Sequence, residues 1–403
     1  MTPEISQRIA ALRWVLISGL VYVHFGRLPG SDANPFRGVS GWESVIPQLA
    51  NSATLYLFFS AVPMLSVLSG YLMFQSRPWR AGAAVSKRLS TVLLPSLLWL
   101  ALWWGVGALL VDAMGVPSER FWAFFQADYD LNHAVIALTG FDLAAVGPLL
   151  ASDGLKAAYH QAQKLTSVPV AQQFWFIHDL MLTVLLSPLL HRLITRLRWA
   201  WGLLLLPLWL YGIVPPGFFR LNVLLFFSVG ASIALLGAPP GWRALFRSPL
   251  WLWGGILLVL IGIRVVVPAF QAPIGAMPWE HQLECGIRAV GVLCFWRWSH
   301  WVWVAHPGLI RQWGRWSTGS FFLFAFHYPS VVLLKGWVAS YEISQTVWGQ
   351  AVCWLLVPLL TIGLAWQLAL QLDRWAPTLL LWLNGQRRLG RVPLGRPVTV
   401  TSI

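Results

Sequence analysis

The chain has 403 residues, of which 57% are hydrophobic and only 10% charged, and its mean hydropathy is +0.65. A soluble domain carries about 25% charged residues, so this composition excludes a soluble globular protein and predicts an all-α, polytopic transmembrane helical bundle. The formal charge of +14 does not indicate a nucleic-acid partner, because most Lys and Arg fall in short clusters between apolar runs, as membrane topology requires.

Ten stretches of spanning length, ~20 residues each, follow in order at roughly 10–28, 52–75, 89–112, 174–193, 199–214, 219–237, 249–268, 285–304, 318–338 and 347–371. The fifth is short and Pro-rich (LLLLPLWLYGIVPP). The 27 Trp and 22 Phe suit interfacial belts and a lipid-facing surface. The first ten residues are polar and lead into a segment that belongs to the body of the protein, so no signal peptide is expected. One set of alternate helix ends and loops gathers Arg8, Arg13, Arg77, Arg80, Lys87, Arg88 and further clusters as far as Arg396, 19 of the 28 basic residues. The other set holds most acids, among them Glu43, Asp112, Glu119, Asp128, Asp130, Asp142, Asp153 and Glu280. Both termini are therefore expected in the cytoplasm, in agreement with an even number of spans. Residues 1–373 form the expected transmembrane domain, with a long outer loop at 113–173, and 374–403 a basic cytoplasmic tail. No internal repeat of the kind that marks many transporters is visible. Cys285, Cys294 and Cys353 show no CxxC or Cys/His spacing, so neither a disulfide framework nor a metal site is expected.

In the first segment, ALRWVLISGLVYVHFGRLPG, Arg13 and His24 stand eleven positions apart. On a helix they fall within ~20° of one another and ~16 Å apart along the axis. A cation then lies near one membrane surface and a titratable base deep toward the other. Intramembrane ionisable groups usually mark a pathway or a site; a histidine hydrogen-bonded between helices is the competing explanation for His24. In the second segment Ser69-Gly70 reads as small residues at a helix crossing, since no strand-turn-helix context for a nucleophile surrounds it. At the start of the third, Lys87 and Arg88 join Arg13 on the cytoplasmic side, either as topological anchors or as a phosphate cradle for an anionic donor. The fourth, QQFWFIHDLML, carries His178 and Asp179 ~10 Å below the outer surface. Asp179 could orient His24 as a general base or pair with an arginine such as Arg264 or Arg288. Arg220, Arg264 and Arg288 lie within apolar runs and are expected to line a polar interior. His327, near mid-membrane in SFFLFAFHYPS, reads equally as structural or as a substrate contact.

Five elements occur together in order: Arg13 and His24 as Arg-x10-His, Pro63 with VLSGYL (67–72), SKRLSTVLLP (86–95), FWFIHDL (174–180) and SFFLFAFHYP (320–329). From about residue 8 to residue 370 the chain resembles the acyltransferase-3 family of integral-membrane acyltransferases. The resemblance implies that His24 is catalytic and that the arginines serve an acyl-coenzyme A donating from the cytoplasm to an acceptor on the outer side. The family often has Arg-x-x-Arg at the third helix, whereas here Arg88 is followed three residues on by Thr91, and Lys87 is the candidate to replace the charge. The chain is similar to the stand-alone members that modify surface or exported glycans.

The expected activity is therefore transfer of an acyl group, acetyl being favoured, from acyl-coenzyme A to a carbohydrate hydroxyl at the bacterial cytoplasmic (inner) membrane. His24 is expected to act as base with Asp179 orienting it, and Arg13, Lys87 and Arg88 to hold the coenzyme A phosphates. Trp175, His178, Arg288 and His327 are expected to contact substrate. The expected partners are acyl-coenzyme A, a glycan and membrane lipids, with no metal and no nucleic acid. A transporter or flippase of a lipid-linked glycan is the competing class, and the absence of repeats counts against it.

Overall fold

The computed structural model describes residues 1–26, 42–75, 79–114, 173–212, 220–270, 279–339 and 346–390, with isolated positions 148, 171 and 341 between them. Of the outer loop expected at 113–173, only positions 113, 114, 148, 171 and 173 are described, and all its acids lie outside the described residues. So do Arg77, Arg391 and Arg396, and the side chains of Glu43 and Asp112.

Among the described residues every regular element is helical. In order these are α1 (Pro3–Phe25), α2 (Trp42–Phe58) and α3 (Ala61–Phe74), then α4 (Ala81–Arg88), which passes through a π-helical turn (Leu89–Leu93) into α5 (Leu94–Met114). After the loop come α6 (Phe174–Leu185), α7 (Ser187–Leu197), α8 (Ala200–Leu210), α9 (Leu221–Leu236), α10 (Pro240–Arg247), α11 (Leu250–Phe270) and α12 (Glu280–Ala305). α13 (Pro307–Trp316) leads through a 3₁₀ turn (Ser317–Gly319) into α14 (Ser320–Ala339), followed by α15 (Val347–Trp375) and α16 (Pro377–Leu383).

Each of the ten expected segments overlaps one or more of these helices. Five stretches are long and apolar enough to cross a membrane unaided: Pro3–Phe25, Leu49–Phe74, Ala81–Gly107, Pro307–Val338 and Trp348–Trp375. α6 and α7 make a sixth if the pair, bent by 64°, is one span. Pro188 at the start of α7 explains the break, because it has no backbone N–H to continue the hydrogen-bond ladder. α8, α9 and residues 250–265 of α11 are apolar but shorter. α12 has 26 residues yet carries Glu280, Glu284, Arg288 and Arg297. Its charges are matched locally: Arg264 on α11 lies 3.2 Å from Glu280 and 3.4 Å from Glu284, and Arg288 lies 3.1 Å from Glu284. Arg297 donates to the Phe246 carbonyl at 2.7 Å. Pairing of this kind is how charge is tolerated at membrane depth.

α1 is the central strut. It packs against α2, α3, α12, α13, α14 and α15, and its buried residues lie all round the helix, as expected for a helix enclosed by protein. α15 does the opposite, presenting Leu355, Leu356, Leu359, Leu360 and Leu364 outward to lipid. α3 crosses α9 at a reciprocal pair of glycines. A Cβ on Gly70 would collide with the Phe227 carbonyl, and one on Gly230 with the Val67 carbonyl. Two backbones in such contact explain why SGY in the second segment needs small residues.

The C-terminal region differs from expectation. Residue 374 lies within the last turn of α15, and 377–390, expected as part of a tail, fold back onto the bundle as α16 and a fixed turn. Pro377 opens α16 at a position where its missing N–H costs nothing. Trp99 Nε1 donates to the Leu383 carbonyl at 2.9 Å, and Asn384 Nδ2 donates to the Thr318 carbonyl at 2.8 Å.

Gly70→Val and Gly230→Val should each destabilise the detergent-solubilised protein beyond the ~1–3 kcal/mol usual for overpacking, because the obstacle is backbone. Gly363→Val, where nothing lies within 4 Å, should leave the thermal unfolding midpoint unchanged; equal midpoints for all three would refute the crossing. Sidedness is tested by cysteines at Ser86 and Ser152 in a background lacking the native three. An impermeant thiol reagent on intact cells should label position 152 and spare position 86.

Candidate active site

Helix ends that charge alternation assigns to the cytoplasmic side converge on one cavity of about 730 Å³. Its walls come from the first half of α1, the end of α3, α4 with the π turn, the 3₁₀ turn, and the segment after α16. Arg13, Lys87, Arg88, Arg387 and Arg388 all line it, and among the described residues no carboxylate does. The size falls within the ~300–1,000 Å³ typical of ligand pockets. Buried cations without counter-charges are unfavourable, and burial together with the nearby Arg88 pushes the Arg387 guanidinium down to about 10. An anionic ligand relieves that repulsion. The local backbone is also irregular: Lys87 O accepts from both Ser90 Oγ (3.1 Å) and Thr91 Oγ1 (2.7 Å) where the helix widens to π geometry, a feature frequent at functional sites.

A second, smaller cavity of about 140 Å³ continues inward. Its walls are mainly apolar, from Ile17, Leu65, Leu68, Ile177, Leu180 and Phe324. The two cavities share Arg13, Leu72, Arg88 and Arg387 as lining residues, so three arginines border both the basic chamber and the apolar one. The inner chamber ends against Phe324, whose ring lies 5.8 Å from that of His327.

Beyond Phe324, the His327 and His24 rings are 5.1 Å apart, and Tyr328 meets His24 edge-on at 5.1 Å. His327 is fully buried. Its Nδ1 lies 2.7 Å from the Phe324 carbonyl; a carbonyl only accepts, so Nδ1 carries the hydrogen and neutral His327 has its lone pair on Nε2. That Nε2 is buried without a partner. His24 is half-buried in the last turn of α1, and the helix end that carries it is pinned. Lys335 Nζ donates to the Phe25 carbonyl at 3.2 Å, and Asn51 Nδ2 to the Gly26 carbonyl at 3.2 Å.

The remaining expected site residues form separate groups. Asp179 lies 3.5 Å from His178 Nδ1 and 3.5 Å from Arg220 Nη1, and accepts from the Arg220 backbone N–H at 3.2 Å. The Arg220 guanidinium sits 4.0 Å over the Trp175 ring. The carboxylate thus meets the N-terminus of α9, a favourable place for negative charge, and the arginine it pairs with is Arg220, not Arg264 or Arg288. The group in ring contact with His24 is His327. Arg288 belongs to the α11–α12 network through Glu284 and lies 5.6 Å over the Phe59 ring. Reading the sequence as a basic tail concealed Arg387 and Arg388. The available signal was Pro377 opening a short apolar helix that ends at Asn384-Gly385, a turn rather than a free tail. Among the described residues no group of three or more His, Cys, Asp or Glu has the arrangement of a metal site.

A protein-family model described as an acyltransferase domain matches residues 7–370. The succinoglycan biosynthesis protein ExoH of Rhizobium meliloti (strain 1021) is 27% identical, over 96% of this chain and 94% of that protein. No solved structure matches the chain. The family model extends along nearly the whole of this helical, membrane-spanning chain: the protein belongs to the acyltransferase-3 family of integral-membrane acyltransferases.

Proposed function

We propose that the protein transfers an acyl group, acetyl in the first instance, from cytoplasmic acyl-coenzyme A to a hydroxyl of an extracytoplasmic or lipid-linked glycan at the bacterial cytoplasmic membrane. The observation that carries this reading is the line-up along α1 of a basic chamber, an apolar extension and a histidine pair. The carbohydrate acceptor follows from the likeness to a protein named for biosynthesis of succinoglycan, a polysaccharide.

Coenzyme A is polyanionic at one end and carries its thioester at the tip of an uncharged arm. Arg13, Lys87 and Arg88 hold the phosphates, and the arm extends past Leu68 and Phe324. The rise from Arg13 to His24, ~16 Å on an unbroken helix, is comparable to the length of that arm. His24 removes the acceptor hydroxyl proton as the oxygen attacks the thioester carbonyl. The tetrahedral intermediate collapses, the C–S bond breaks, and the departing thiolate takes the proton back from the His24 imidazolium. His327, with its Nδ1–H engaged by Phe324, offers Nε2 as an acceptor that orients His24. Trp175, His178 and the Asp179–Arg220 pair serve the acceptor end, where an aromatic face beside polar groups suits a sugar ring. Arg288 contributes by keeping Glu284 neutralised beneath that end.

His24→Ala should reduce acyl transfer at least ~10²-fold while the protein remains inserted and folded; near-normal transfer by the well-expressed variant would sink the role. Lys87→Ala with Arg88→Ala should weaken acetyl-coenzyme A binding about 10- to 150-fold, the loss of charge-assisted contacts worth ~1.5–3 kcal/mol. Titration of purified protein in detergent reads this directly. A flippase would show neither acetyl-coenzyme A binding nor its hydrolysis.

A further inference from the structure

The family match ends at residue 370, and the most informative cation lies beyond it. Arg387 lines the basic chamber and the apolar one alike, and with Arg13 and Arg88 it supplies three of the four residues the two linings share. The segment that carries it is built in place. Asn384 Nδ2 donates to the Thr318 carbonyl (2.8 Å) and to the Arg387 carbonyl (2.9 Å), while its Oδ1 accepts from the Phe322 N–H (3.2 Å). Gly390 N–H donates to Thr318 Oγ1 at 3.0 Å. Gly385 has φ +65° and lies so close to the π turn that a Cβ there would collide with the Thr91 carbonyl. Glycine is required twice over, by conformation and by space. The strap is therefore fastened on both sides of Arg387, against the 3₁₀ turn and against the π turn.

We infer that this C-terminal strap completes the donor site, and that Arg387 closes a three-arginine clamp with Arg13 and Arg88 on the diphosphate of the donor. The inference rests on the acyl-coenzyme A reading above. Its added content is the position of the diphosphate. That group is the last charged element before the uncharged arm, so it belongs where a basic chamber narrows into an apolar one. Planar guanidinium forks match phosphate oxygens bidentately, and three of them converging on one neck are self-repelling until an anion sits among them. Lys87 and Arg388 lie in the outer chamber alone, the place for the adenosine 3′-phosphate.

The test is equilibrium binding of coenzyme A, dephospho-coenzyme A and pantetheine to the full-length protein in detergent. Arg387→Ala should weaken coenzyme A and dephospho-coenzyme A by the same factor, about 10- to 150-fold, and leave pantetheine unchanged. Arg387→Lys should recover part of the loss. Gly385→Val, which displaces the strap without removing a charge, should reproduce the alanine phenotype in protein that still elutes as a single species. Unchanged affinity in Arg387→Ala overturns the assignment while the donor reading stands. A loss confined to coenzyme A moves Arg387 to the 3′-phosphate and overturns the diphosphate clamp. Wild-type protein that binds no coenzyme A overturns the donor reading, and the clamp with it.

Discussion

Arg13 and His24 stand on one unbroken helix, and the rigid distance between them sets the geometry of everything else in the site. α1 is held at both ends by polar contacts. Near its start, Arg8 donates to Glu4 at 2.9 Å, to the Trp296 carbonyl at 2.9 Å and to Ser299 at 3.2 Å. At its end, Lys335 and Asn51 satisfy carbonyls that the helix leaves unpaired. Enclosed by protein on all sides, the helix cannot shift without opening its packing against several neighbours. It fixes the separation of Arg13 and His24, and α3, α6 and α14 line the apolar cavity beside it.

Two groups of arginines differ in their counter-charges. Arg8, Arg220, Arg264 and Arg288 each have a carboxylate within 3.5 Å. These pairs satisfy charge that the membrane would otherwise penalise. Arg13, Arg88, Arg387 and Arg388 surround a cavity that contains no carboxylate among its lining residues. Among the described residues, carboxylates neutralise the first group and none neutralises the second. The histidine pair follows a similar economy. An imidazole can be buried uncharged, whereas an unpaired carboxylate in the same apolar setting would be strongly disfavoured. His327 has its Nδ1 engaged by the Phe324 carbonyl, and Asp179 is held by Arg220.

The class of fold and the first-helix pair were legible because they depend on composition and on a single helix. Apolar length marks the positions of membrane helices, and an eleven-residue spacing needs only helical geometry. Gly70 was legible as a crossing residue, although its reciprocal partner Gly230 was not, since nothing in the sequence tells which helices cross. The same limit applies to the partner of Asp179. Arg220, Arg264 and Arg288 are equivalent as intramembrane cations in one dimension, and only packing of α6 against the start of α9 selects Arg220. His327 was visible as a candidate but its place beside His24 required α14 to lie along α1. Arg387 and Arg388 were least legible, because a basic segment after a last span is what topology alone demands.

Three departures from regular α-helix border the basic chamber. The π turn at Leu89–Leu93, the 3₁₀ turn at Ser317–Gly319 and the left-handed turn at Gly385 all border the same chamber. Each is poorer in regular hydrogen bonding than continuous α-helix, and each is supported by its neighbour: Asn384 bonds the 3₁₀ turn and the start of α14, while Gly385 seats against the π turn. Local geometry that sequence rules disfavour persists where surrounding contacts over-determine it, and such places are commonly functional. Here the irregularity has a physical purpose. Straight α-helices packed side by side close the space between them, and a chamber of about 730 Å³ has to be opened by turns that bend, widen or reverse the chain.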